Sequence, residues 1–203
     1  MAENRQSTGP VTLSLEGGRR PERADAARNR RILLDTASRI VRDEGVAALS
    51  MESVAAAAGV GIGTVYRRFG DRAGLAYALL DEQERDFQAA FISGPPPLGP
   101  DAEPAVRLRA YLDRYVDRLA EHAELLATAE THRYQSGAYN VQRRHLAMLI
   151  NQIDPQLDGP YLADALLAAL SGQLYLHQTT EAGMSVERIR AGIAQLLRGI
   201  VDG

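Results

Sequence analysis

The feature that most constrains this chain is the spacing of Ala55, Gly59 and Val65 inside the window 51–70, MESVAAAAGVGIGTVYRRFG. Two helices that cross near a right angle need a small side chain where their backbones meet, and Ala55 supplies it. The turn between them needs positive φ, which Gly59 adopts without a Cβ penalty. Val54, Ala58, Val60 and Val65 are placed to plug the angle between the helices. The pattern therefore predicts helices over 51–58 and 62–69 joined by a tight turn, with Ser50 as the N-cap of the first. This is helix-turn-helix spacing.

The flanks are helical too. Leu33, Ala37, Ile40 and Val41 recur at one face of a helix over 24–44, and Gly45 stands ready to end it. Gly70 and Asp71 read as a turn and cap before a helix over 72–92, in which Leu75, Leu79, Phe87 and Phe91 form the apolar side. The run SGPPPLGP at 93–100 cannot continue that helix. Helices follow over 102–122, a short stretch reaching Tyr134, then 138–153, 161–181 and 185–201. No alternating strand pattern of useful length occurs. The expected fold is all-α with about nine helices: a three-helix head over 23–71, a helical bundle over 72–203, and a disordered arm over 1–22, at whose end Arg19, Arg20 and the adjoining Arg23 could reach a DNA groove.

Charge divides the same way. Residues 1–72 hold 12 arginines against nine acids, +3, while the remainder is at −6, within an overall −3. A basic module joined to an acidic one suits a polyanion-binding head on a non-binding body. All 23 basic residues are arginine, whose planar fork pairs bidentately with phosphate or with a guanine edge. The absence of cysteine excludes disulfides and thiolate metal sites. With no long apolar span and no apolar leader, no membrane partner is expected and the expected location is the cytoplasm. No cofactor or metal is expected either. Glu130 and His132 lack helical ligand spacing, and phosphate loops and nucleophile elbows are missing, so catalysis is not expected.

The stretch AGVGIGTVYRRFGDRAGL, with Ala58, Gly59, Val60, Gly63, Thr64, Val65, Tyr66, Phe69, Arg72 and Leu75, resembles the TetR family of bacterial regulators. Ile32, Leu33, Ala37, Gly45, Leu49 and Ser50 extend the resemblance upstream, so that it covers about residues 25–92. It implies a double-stranded DNA operator as partner. The helix that Ser50 caps would turn its N-terminal N–H groups to a phosphate. Thr64 and Tyr66 offer hydroxyls to phosphate oxygens, Arg67 and Arg68 are the candidates for base edges, and Arg72 stands where the family has a phosphate-binding lysine. Gly61 replaces a serine and Ile62 a polar residue, so one cap and one hydroxyl contact are lost, and Ile62 could meet a thymine methyl.

Within the helix over 161–181, the stretch from Tyr161 to Leu176 holds one charge, Asp164, and is apolar around its circumference, and Ala168, Ala169, Ser171 and Gly172 would admit another helix closely. With 185–201 it is expected to leave an apolar patch for a homodimer, carried by Leu166, Leu170, Ile189, Ile193 and Leu197. The resemblance implies an intermolecular four-helix bundle there. It also implies a small-molecule effector, with His122, Glu130, His132, Arg133, Tyr139, Tyr175 and His177 as candidate contacts. The expected function is a ligand-responsive repressor on a palindromic operator; the alternative is an interaction or sensor module that keeps a vestigial helix-turn-helix.

Overall fold

The computed structural model describes residues 19–201, among which every regular element is helical. The arm over 1–18 and the side chains of Arg19, Arg20 and Arg23 lie outside the described residues. The head comprises α1 (Arg19–Glu44), α2 (Met51–Ala58) and α3 (Ile62–Phe69). Helix α1 begins ahead of the expected position 24, and its apolar face is Leu33, Ala37 and Ile40, all buried. Gly45, at φ 86°, ends it.

Ser50 caps α2 reciprocally with Ser53: each side-chain oxygen accepts the other's backbone N–H, at 2.9 and 3.0 Å. Gly59 closes α2 in the left-handed region (φ 67°, ψ 33°), and the Val60 N–H reaches back to the Ala55 carbonyl at 3.0 Å. That closure turns the chain sharply enough to bring Val65 down onto Val54 and Ala55, and all three are buried. Val60 is not part of the plug. It follows the left-handed residue, faces outward and is 37% exposed.

The body departs from expectation in its segmentation. The helix expected over 72–92 is two, α4 (Arg72–Leu79) and α5 (Asp81–Ser93), because Leu80 turns inward and tightens the last turn onto the Ala76 and Tyr77 carbonyls. Helix α6 (Pro104–Ala129) runs past the expected stop at 122, with only His122 leaving helical geometry inside it. A 3₁₀ turn over Glu130–Gln135 leads into α7 (Gly137–Ile153). The stretch expected as one helix over 161–181 is α8 (Gly159–Ala169), α9 (Gly172–Leu176) and a π turn over His177–Glu181. Helix α10 (Val186–Val201) closes the described chain, which thus holds ten α-helices rather than about nine.

Two apolar clusters result. The head cluster joins α1, α2 and α3 to Leu75, Ala76 and Leu80, and to Ala129 at the end of α6, so α4 belongs to the head's packing as much as to the body's. The body cluster gathers Phe87, Phe91, Tyr111, Leu112 and Leu119 with the inner faces of α7, α8 and α10. Leu166, Leu170, Ile189, Ile193 and Leu197, expected at a dimer surface, lie inside this cluster and are at most 8% exposed. The reason is that α6 and α7 of the same chain cover them. The close approach expected at Gly172 is likewise internal: a Cβ there would stand 2.6 Å from the Ala127 amide nitrogen of α6.

Candidate nucleic-acid interface and interior cavity

Helix α3 is anchored by one side and open on the others. Val65 is fully buried and Phe69 half-buried, its ring lying under the Arg30 guanidinium at 5.9 Å. Ile62 and Tyr66, one turn apart, are 42% and 45% exposed. Arg67 and Arg68 are exposed, and neither has an ion-pair partner among the described residues. Thr64 is half-buried. Gly61 starts α3 with no side-chain cap, and both it and Gly63 face open space, so α3's first turn presents bare backbone. A short helix with an apolar underside, unpaired guanidinium groups and no acid of its own can lie against a polyanion and reach into a groove.

The other expected contacts are spent on the head's own structure to differing degrees. The Ser50 hydroxyl accepts the Ser53 amide. Arg72 donates from Nε to the Leu49 carbonyl at 2.7 Å and from Nη2 to the Val46 carbonyl at 2.8 Å, stapling α4 to the α1–α2 connection. Asp71 caps α4 by accepting the Gly74 amide at 2.8 Å, and its other oxygen accepts from His132 Nε2 at 2.8 Å. A carboxylate only accepts, so Nε2 carries the proton. The Gly74 amide first, then His132, hold the Asp71 carboxyl below the usual carboxylate range.

His132 sits on the 3₁₀ turn that also walls the interior cavity, a partly open space between α4, α5, α6 and α7. Of the expected effector contacts, Glu130, Arg133 and Tyr139 meet there. Glu130 accepts from Arg133 Nη1 at 3.0 Å and from the Gly172 and Gln173 amides, which ties the turn to α9. The Arg133 guanidinium stacks on the Tyr139 ring at 5.6 Å. Tyr139 donates its hydroxyl to Asp164 at 2.7 Å, and burial together with that carboxylate pushes its pKa up to about 12. The remaining candidates do not converge. His122 lines a separate cleft with Arg114 and Glu121, Tyr175 is buried in the body cluster, and His177 pairs with Glu181 on the surface at 2.9 Å.

Three cavity residues escaped the sequence reading: Glu84, Arg118 and Gln142. Glu84 accepts from Arg118 Nη1 at 2.5 Å and from Gln142 Nε2 at 2.9 Å, and all three side chains are buried. A signal existed. Glu84 shares a helix face with Phe87 and Phe91, Arg118 with Tyr111 and Tyr115, and Gln142 with Tyr139 and Leu146. A polar residue repeated into an apolar stripe must find a partner inside.

The fold and this geometry define a helix-turn-helix protein with an exposed arginine-bearing second helix and a hollow helical body. Residues 33–79 match the family model described as bacterial regulatory proteins, tetR family. An HTH-type transcriptional regulator of Staphylococcus aureus is 27% identical over 173 residues, 83% of this chain and 91% of that protein. SmeT, the repressor of the Stenotrophomonas maltophilia multidrug efflux pump SmeDEF, shares the fold at a TM-score of 0.55 and 19% identity, covering 85% of this chain and 90% of that one. A transcriptional regulator from Saccharomonospora viridis, crystallised in complex with choline, matches equally at 0.55 and 19%, covering 85% and 96%.

Proposed function

We propose that this chain is a transcriptional repressor that binds a palindromic operator as a homodimer and is released by a small-molecule effector. The observation that carries the DNA-binding part is the pair of exposed, unpaired arginines on α3, next to Ile62 and Tyr66, in a head that matches the family. Ile62 and the bare backbone of the first turn meet the groove floor, Arg67 and Arg68 take guanine edges or flanking phosphates, and Tyr66 and Thr64 fix register on the backbone.

The cavity supports the effector part. Glu130 and Arg133 line it, and His132 between them grips the Asp71 cap that starts α4 directly after the reading helix. A guest that shifts this turn shifts the cap, and with it the angle of α3. Release then follows from differential binding to two head orientations. Repression and response to a ligand agree with SmeT's role and with the choline complex of the Saccharomonospora protein.

For the dimer, the outward faces of α8 and α10 remain once their inner faces are assigned to the core. Tyr161, Ala165, Ala168, Ala191, Ala194 and Leu196 are exposed there. Small side chains let two such helix pairs meet closely, and a two-fold axis would set two α3 helices about 34–36 Å apart, one turn of DNA. Fluorescence anisotropy on the DNA upstream of the chain's own gene, over a salt series, tests the proposal. Saturable binding that weakens steeply with salt is expected; no binding at low salt would leave only the sensor reading.

A further inference from the structure

The donors and acceptors on the cavity wall are unequally used, and that inequality constrains what the cavity can hold. Its two carboxylates are fully engaged. Glu84 takes Arg118, Gln142 and Gln88, and Glu130 takes Arg133 and two backbone amides. Its charges cancel, since Arg118 and Arg133 match Glu84 and Glu130. What remains unspent on the wall is the Tyr77 and Tyr115 hydroxyls and one neutral acceptor, Gln142 Oε1, but no carboxylate. Arg118 Nε is buried with no hydrogen-bond partner. The Tyr115 hydroxyl, also on the wall, donates to no other described residue. The Phe87 and Tyr115 ring centroids lie 5.6 and 5.7 Å from the Arg118 guanidinium carbon and 5.9 Å from each other, so the two rings flank it together rather than sandwiching it.

We infer that the cavity binds an uncharged molecule that offers a hydrogen-bond acceptor, such as a carbonyl oxygen, on a compact apolar body. A cationic guest finds no free carboxylate and would have to strip Glu84 or Glu130 from a buried arginine, leaving that charge unpaired. An anionic guest near Arg118 would stand beside the Glu84 carboxylate paired to it, where like charges repel. A neutral acceptor satisfies the Tyr115 hydroxyl and disturbs neither ion pair. Leu80, Leu126, Ala129 and Ala138 supply the apolar contact.

This inference rests on the cavity being the effector site, but binding is measured without DNA. Isothermal titration of the full chain at neutral pH with acetylnaphthalene, naphthoate and naphthylmethylammonium compares three charge states on one body. The ketone is expected to bind at least about tenfold more tightly than either ion, since an ion must break or crowd a buried pair. Tyr115→Phe removes one neutral hydrogen bond and leaves every charge in place, so it should weaken the ketone by roughly three- to tenfold with little change in unfolding midpoint. Tightest binding by the carboxylate or the ammonium, binding by none of the three, or an unchanged ketone affinity in Tyr115→Phe would each overturn the inference. A ketone that binds as expected yet leaves the affinity for upstream DNA unaltered overturns the effector reading instead.

Discussion

The head and the body of this protein treat their arginines in opposite ways. In the head, Arg67 and Arg68 stand exposed with no ion-pair partner among the described residues, so their full charge is available to something outside the chain. In the body, Arg118 and Arg133 are held between carboxylates, carbonyls and aromatic rings. The first arrangement costs the fold little and is worth little to it. The second is part of the fold, because each buried charge depends on its partner. Removing a head arginine should therefore cost binding without stability, and removing a body charge should cost stability first.

The largest effect is expected for Glu84→Ala, which leaves Arg118 buried opposite no carboxylate and should lose about 3–5 kcal/mol in urea unfolding. A loss below about 1 kcal/mol would mean that Arg118 is paired well enough elsewhere, and the contrast with the head would fail. Next comes pH. Burial, and then the nearby Arg107 charge, bring the His145 pKa down from 6.5 to about 4. A depressed histidine contributes stability that is present above its unfolded pKa and is lost as pH falls through the folded one. The chain should thus lose roughly 3 kcal/mol between pH 6.5 and 4, and His145→Leu should flatten that slope in pH-dependent denaturation. All four histidines fall after residue 120, so the slope belongs to the body.

Arg67→Ala should weaken operator binding by about 1–3 kcal/mol and relax base preference at one position, with stability unchanged within about 0.5 kcal/mol. Competition with single-base operator variants checks it, and an undiminished preference would remove Arg67 from base reading. The smallest effect is expected for Ser50→Ala, which takes one arm from the reciprocal Ser50–Ser53 cap and should cost the head about 1 kcal/mol. Hydrogen exchange of the α2 amides would localise the loss.

The same contrast explains what could be read from the sequence. The head is a local device. Ala55, Gly59 and Val65 lie within eleven residues, and their steric roles survive intact in the structure, Val60 being the one plug residue misassigned. The site in the body is assembled across 58 residues of chain between Glu84 and Gln142, and periodicity cannot pair residues so distant. Glu130, Arg133 and Tyr139 were legible as polar groups in the right region, whereas His122 and His177 looked equivalent and face elsewhere. The apolar girth of the 161–176 stretch correctly required covering on more than one side. It does not say that α6 and α7 of the same chain do the covering, and so the surface expected of Leu166, Leu170, Ile189, Ile193 and Leu197 is one they do not reach.

Hydroxyl-radical footprinting of the full chain on its own upstream DNA, beside Arg67→Ala, tests the central claim most directly. Two protected patches about one helical turn apart (roughly 34–36 Å) on one face of the duplex are expected, lost in Arg67→Ala at concentrations where the wild type protects fully. Protection that is absent, spread evenly along the duplex, or identical in the two proteins would contradict it.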